Sequence, residues 1–202
     1  GSAGDVASAV GRRLETFVRK SAGVAPGPGR TLTAEEQERL RSLGYVNFAG
    51  GGTASAAADP KDKLDVLRLA QLAEGYELDG RYAEAQDAYA RLLGLVPESP
   101  ASYVNLALCQ ARLQKFDEAI ATLRLGTERM PGSAILHIRL GHTYLVTGRA
   151  EEAIASMDRT IALEPRNVDA YTAAASALDS LGRKAEARLY LEKAAAVEPE
   201  NK

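Results

Sequence analysis

One cysteine, two histidines and a set of acid-rich turns are the residues of this 202-residue chain that could do chemistry. Cys109 as a nucleophile would need a histidine partner and donors for an oxyanion. No motif around it supplies them, so it reads as a small buried hydrophobe. His137 and His142 are five residues apart. That spacing sets them about 140° apart around a helix, so they cannot share a metal as an i, i+4 pair can. His137 is expected to be partly buried. Tyr82-Ala83-Glu84 and Phe116-Asp117-Glu118 resemble the acid pairs of general acid–base sites. They recur along the chain and open helices, where the dipole favours negative charge, so a structural role is the better reading. Gly50-Gly51-Gly52 lacks the Lys-Ser/Thr that completes a phosphate loop. Arg12, Arg13, Arg19 and Lys20 read as one solvated helix face. No catalytic residue, cofactor or metal site is expected.

Composition narrows the classes further. The 25 basic and 27 acidic residues nearly balance, with a formal net charge of −2. A dedicated nucleic-acid or membrane-surface binder needs a clustered basic face, so neither is expected; no run of 18 or more apolar residues exists, so membrane insertion is not expected either. Hydrophobic residues make up 46% of the chain, enough for a packed core. A single cysteine excludes an internal disulfide and a multi-cysteine zinc site. Gly1-Ser2 reads as a cloning remnant, so the chain is expected to be a piece of something longer. The compartment is not legible.

The elements that must position these residues show in the periodicity. Proline falls at Pro97, Pro131, Pro165 and Pro199, a constant step of 34 residues. The same step carries Ala85, Ala119, Ala153 and Ala187, each preceded by glutamate. It also carries the small residues Ala73, Ala107, Gly141 and Ala175 and the large apolar Tyr89, Leu123, Met157 and Leu191. Small side chains at a helix crossing let two backbones approach. Within a copy, Ile135, Ile138, Leu140, Tyr144 and Leu145 recur at helical spacing. A turn at Thr147-Gly148-Arg149 follows, and Ala153, Ile154, Met157, Ile161 and Leu163 continue the pattern. Each copy is therefore two helices. Gly80, Gly148 and Gly182 share the turn position, which tolerates positive φ. The second copy has Gln114 there, so its turn is expected to close differently.

This pattern resembles the tetratricopeptide repeat, a helix–turn–helix unit of about 34 residues. The first copy shows Leu72-Ala73, Tyr76, Gly80, Tyr82, Ala85, Tyr89 and Pro97, and the third Leu140-Gly141, Tyr144, Gly148, Ala153 and Pro165. The usual early tryptophan is replaced by Leu69, Tyr103, His137 and Tyr171. The resemblance implies an all-α, right-handed α-solenoid, with repeats over about 66–99, 100–133, 134–167 and 168–201 inside a domain spanning 62–202. The fourth copy is degraded, and Leu189 and Tyr190 are expected to point outward from its last helix.

Upstream, 1–30 reads as an N-terminal helix and linker, and 31–61 as a short helix plus a Gly/Ala-rich linker. Thr33 and Glu36 form a capping box for a helix ending near Gly44. Leu40, Leu43, Tyr45 and Phe48 are expected to dock on the first repeat or in a groove. LTAEEQERLRSLGYV and the linker after it look like the region behind the catalytic domain in sulfatase-like hydrolases that carry C-terminal tetratricopeptide repeats. The Cys-x-Pro-x-Arg signature of those hydrolases is absent. Only a parent protein, not this chain, would then be an enzyme.

The tetratricopeptide resemblance further implies that first helices line a concave peptide groove. Carried onto this sequence, the lining residues are Leu67, Ala70, Gln71, Glu74 and Glu77 in the first copy, Ala101, Val104, Asn105, Leu108 and Arg112 in the second, Ile135, Ile138, Arg139, His142 and Leu145 in the third, and Asp169, Thr172, Ala173, Ser176 and Asp179 in the last. Apolar anchors would supply affinity and polar groups orientation. The expected partner is a protein or peptide ligand, with self-association as a second expectation. One subfamily grips chaperone C-terminal carboxylates. Asn105 and Arg139 match its clamp, but Ala70, Glu74 and Ile135 stand where Lys, Asn and Lys are needed, so that ligand is disfavoured.

Overall fold

The computed structural model describes residues 60–197. The features read from residues 1–59, including the hydrolase resemblance, lie outside them. The described residues form eight α-helices and no strand. They are α1 (Pro60–Leu78), α2 (Tyr82–Leu95), α3 (Pro100–Arg112), α4 (Phe116–Arg129), α5 (Ala134–Val146), α6 (Ala150–Leu163), α7 (Val168–Ser180) and α8 (Lys184–Val197). The fold is all-α, and consecutive pairs are the hairpins that the 34-residue step requires. The chain forms two compact units that divide within α4, after Thr122.

Hairpin turns close by one device. In the first, the Arg81 N–H donates to the Tyr76 carbonyl at 2.8 Å and the Gly80 N–H to the Glu77 carbonyl at 3.0 Å. These crossed bonds satisfy the orphan carbonyls of a helix end and force the capping residue into the left-handed region. Gly80, Gly148 and Gly182 sit there with φ of 72°, 72° and 73°. The expectation that the Gln114 turn closes differently is corrected: Gln114 has φ 61°, and Lys115 and Gln114 donate to the Gln110 and Ala111 carbonyls at 2.8 and 2.9 Å. Two backbone hydrogen bonds outweigh the left-handed penalty of about 1–2 kcal/mol for a residue with a Cβ.

The residue after each turn position is basic and pairs with a glutamate three residues on. Arg81 binds Glu84 at 2.9 Å, Arg149 binds Glu152 at 2.7 Å and Arg183 binds Glu186 at 2.6 Å. The acid-rich turns are therefore helix-start pairs. The arginine also stacks backward: the Arg81 guanidinium lies 4.4 Å from the Tyr76 ring centroid, and that of Arg149 lies 4.8 Å from Tyr144. At the next junction, Ser99 caps α3 by accepting from the Ser102 N–H, with Pro100 in the first turn. Asn167 caps α7 in the same manner through the Ala170 N–H at 3.0 Å.

In the first unit, Ala73, Ala85, Tyr89, Leu92, Leu93, Leu106 and Ala107 are buried. A buried polar pair joins α3 to α4: the Thr122 hydroxyl donates to the Gln110 side-chain oxygen at 2.8 Å. In the second unit, Met157 packs with Ile138, Ala170, Ala173 and Ala174. Gly141 is where α5 meets α6. A Cβ built on it would stand 2.6 Å from the Met157 Cε and 3.2 Å from the Ser156 Cβ, which explains the smallest residue at that crossing. On α8, Leu189 is exposed as expected, but Tyr190 is half-buried and Leu191 points out in its place. The Tyr190 ring packs on Tyr171, 6.4 Å between centroids, and its hydroxyl donates to Asp158 at 2.6 Å. Burial, then that bond to a carboxylate, pushes the Tyr190 phenol up to about 12.

Candidate functional site

Cys109 and His137 are structural. Cys109 is buried on α3, and loss of solvent, followed by the charge of Glu77, pushes its thiol up to about 12. A thiol so held is protonated at neutral pH and is not a nucleophile. The His137 Nε2 lies 3.1 Å from the Pro131 carbonyl. Tyr171, one repeat later, donates its hydroxyl to the Pro165 carbonyl at 3.3 Å. His137 therefore does the job of a tyrosine, tying a first helix to the junction before it, and burial holds its pKa below the ordinary value. Among the described residues, no group of three or more His, Cys, Asp or Glu is placed to hold a metal. No described helix is long and apolar enough to cross a membrane.

The residues expected to line a groove lie on the first helices of each unit, where Leu67, Ala70 and Ala173 are buried instead. In the first, α1 brings Gln71, Glu74 and Glu77, and α3 brings Val104, Asn105, Leu108 and Arg112. Leu108 and Arg112 are exposed, while Val104, Asn105 and Glu74 are half-buried. Arg112 leans toward Tyr82, 6.0 Å from its ring centroid, and Glu77 accepts the Tyr89 hydroxyl at 2.9 Å. The face joins an apolar side chain to a cation on one side and carboxylates on the other.

In the second unit, α5 brings Ile135, Ile138, Arg139, His142 and Leu145, and α7 brings Asp169, Thr172, Ser176 and Asp179. Ile135, Arg139, Thr172 and Ser176 are exposed, and His142 and Leu145 are half-buried. Ile138 departs from its expected place as a groove anchor. It is only 8% exposed and belongs to the Met157 core, because the alanines of α7 leave a socket that it fills. The structure adds one pairing that sequence reasoning missed. The His142 Nε2 lies 3.1 Å from an Asp169 carboxylate oxygen, bridging α5 and α7. The two residues are 27 apart, and only the offset between neighbouring hairpins brings them together. Both faces offer apolar contact beside charged side chains, and the second adds the hydroxyls of Thr172 and Ser176.

Comparison with known proteins agrees with this picture. Two family models, each described as tetratricopeptide repeat, match residues 78–139 and 138–201. The TPR repeat-containing thioredoxin TTL4 of Arabidopsis thaliana is 33% identical over 145 residues, which is 71% of this chain and 20% of that protein. The chain thus spans about a fifth of that relative's length. Among solved structures, MamA superposes with a TM-score of 0.62 at 22% identity, covering 82% of this chain and 85% of its own. The first tetratricopeptide domain of Spaghetti (RPAP3), solved bound to an HSP90 peptide, gives 0.54 at 26% identity, covering 59% of this chain and 94% of its own.

Proposed function

Because the chain belongs to the tetratricopeptide repeat family, whose members act in protein–protein interactions, we propose that it is a non-catalytic scaffold that binds a peptide or protein segment along the inner faces of its first helices. The observation that carries this is the mixed character of those faces. Leu108 beside Arg112, and Ile135 beside Arg139, present apolar surface and a permanent cation together. A bound segment gains affinity from apolar anchors and orientation from the charges. The peptide seen with the RPAP3 domain belongs to that protein. Here Ala70 is wholly buried, and Glu74 and Ile135 occupy two further clamp positions, which turns the reading away from a chaperone tail. The ligand favoured is a segment with apolar residues and at least one carboxylate for Arg112 or Arg139. The role of accessory domain to a sulfatase-like hydrolase rests on the upstream segment alone.

Selection of binders from a displayed random-peptide library tests the reading. Selected peptides should lose binding to Leu108→Glu or to Arg139→Glu, and keep it to Asp87→Lys, a change on an exposed second-helix position. Binders indifferent to both inner-face changes would reject it.

A further inference from the structure

Three of the four hairpins keep one face of their first helix covered, and the first hairpin does not. On α7, Ala170 and Ala174 lie in the core against Met157 of the preceding hairpin. One repeat earlier the same columns hold Leu136 and Leu140, and one earlier still Ser102 and Leu106; all are buried. On α1 those columns hold Arg68 and Leu72. Leu72 is 45% exposed. Arg68 is exposed and, among the described residues, lies 3.9 Å from Asp65. Tyr76, one turn on, is half-buried and has Arg81 over its ring. Among the described residues, α1 thus carries the face of an interior helix without the helix that covers it.

The sequence sets a suitable cover just upstream. A capping box predicts a helix over 34–43, with Leu40 and Leu43 on one face and Tyr45 and Phe48 following. Glu36 shares that face with Leu40 at i, i+4, as Arg68 shares the face of α1 with Leu72. Apolar side chains can therefore meet apolar side chains while Glu36 and Arg68 attract. Only the Gly/Ala-rich residues 49–59 separate Phe48 from the start of α1. A short Gly/Ala-rich tether of this length gives an effective concentration on the order of millimolar, which a free partner or a second copy at micromolar levels does not match.

We propose that residues 33–48 pack on the Arg68–Leu72–Tyr76 face of α1, in the position that a preceding second helix would occupy. The segment completes the first hairpin by intramolecular docking, and this face is not a surface for another protein.

Thiol labelling of the whole chain tests this. Leu72→Cys supplies a probe on the face, Leu78→Cys an exposed probe at the end of the same helix, and native Cys109 is buried and silent. The expected result is labelling of Leu72→Cys about tenfold slower than Leu78→Cys, as for a face covered nine-tenths of the time. Adding Leu40→Asp and Leu43→Asp should remove that protection, and dilution by about a hundredfold should leave it unchanged. Arg68→Cys, already exposed, should behave likewise and serves if Leu72→Cys does not fold. Labelling as fast as Leu78→Cys would overturn the proposal. So would protection that survives the paired aspartates, and so would protection that fades on dilution, which would assign the cover to a second copy.

Discussion

Helices α6 and α8 are second helices of neighbouring hairpins in one unit, yet equivalent columns meet different fates. In α6, Ile154, Met157 and Ile161 all pack into core clusters, with Met157 wholly buried against the alanines of α7. In α8 the same columns hold Arg188, Leu191 and Ala195. Arg188 is exposed and bonded to Glu192 at 3.0 Å, and Leu191 is 50% exposed. A repeat column therefore sets what a side chain can bury, and the neighbouring hairpin decides whether it does. Two isoleucine positions have become arginine and alanine where no described helix follows.

The largest predicted effect breaks this comparison in α6. Met157→Ala should cost about 2–5 kcal/mol, because transfer energy is lost and the alanine-lined socket cannot collapse. Leu191→Ala should cost under about 1 kcal/mol, since half its surface is already wet. Urea unfolding of the two variants measures the gap, and equal costs would remove the distinction. The same unit allows a steric version. Gly141→Ala should cost about 1–3 kcal/mol, since the new Cβ drives the Met157 methyl out of a filled core. Gly75→Ala on α1 has nothing within 4 Å of its new Cβ and should instead gain about 0.5–1 kcal/mol.

The turns offer a smaller contrast. Gln114→Gly should stabilise by about 0.5–1 kcal/mol, because it relieves a left-handed residue that carries a Cβ. Gly148→Ala should destabilise by about 1 kcal/mol for the converse reason. Opposite signs in thermal or urea unfolding would show that all these turns share one geometry.

Much of this was legible in the sequence, since 34-step columns report packing directly. Ala85, Ala119 and Ala153 are wholly buried, and Cys109 and His137 are structural, as their columns implied. Three features were not legible, each for a physical reason. Gln114 gives no glycine signal, and its left-handed backbone is imposed by hydrogen bonds from Gln114 and Lys115. Ile138 belongs to a lining column but sinks inward because α7 presents alanines at 170, 173 and 174. The His142–Asp169 contact depends on how one hairpin is offset against the next, which no spacing within a single repeat reveals.

The smallest effect contrasts neighbouring repeats through one column. His137 and Tyr171 each reach back six residues to a proline carbonyl, and the histidine is the titratable partner in the range near neutrality. Burial depresses the His137 pKa from its ordinary 6.5, so the unfolded chain takes up the proton first. The contribution of the neutral imidazole is therefore full above about pH 6.5 and is lost as the pH falls through the depressed value. Glu84, Glu152 and Glu186 are also depressed, from an ordinary 4.5, so their loss comes lower on the pH scale. His137→Tyr should keep the bond to the Pro131 carbonyl and abolish only the upper step. Melting temperatures from pH 7.5 down to pH 4 would show the wild type falling in two stages and the variant in one. A variant that still declines just below pH 6.5 would mean that the upper step belongs to another group.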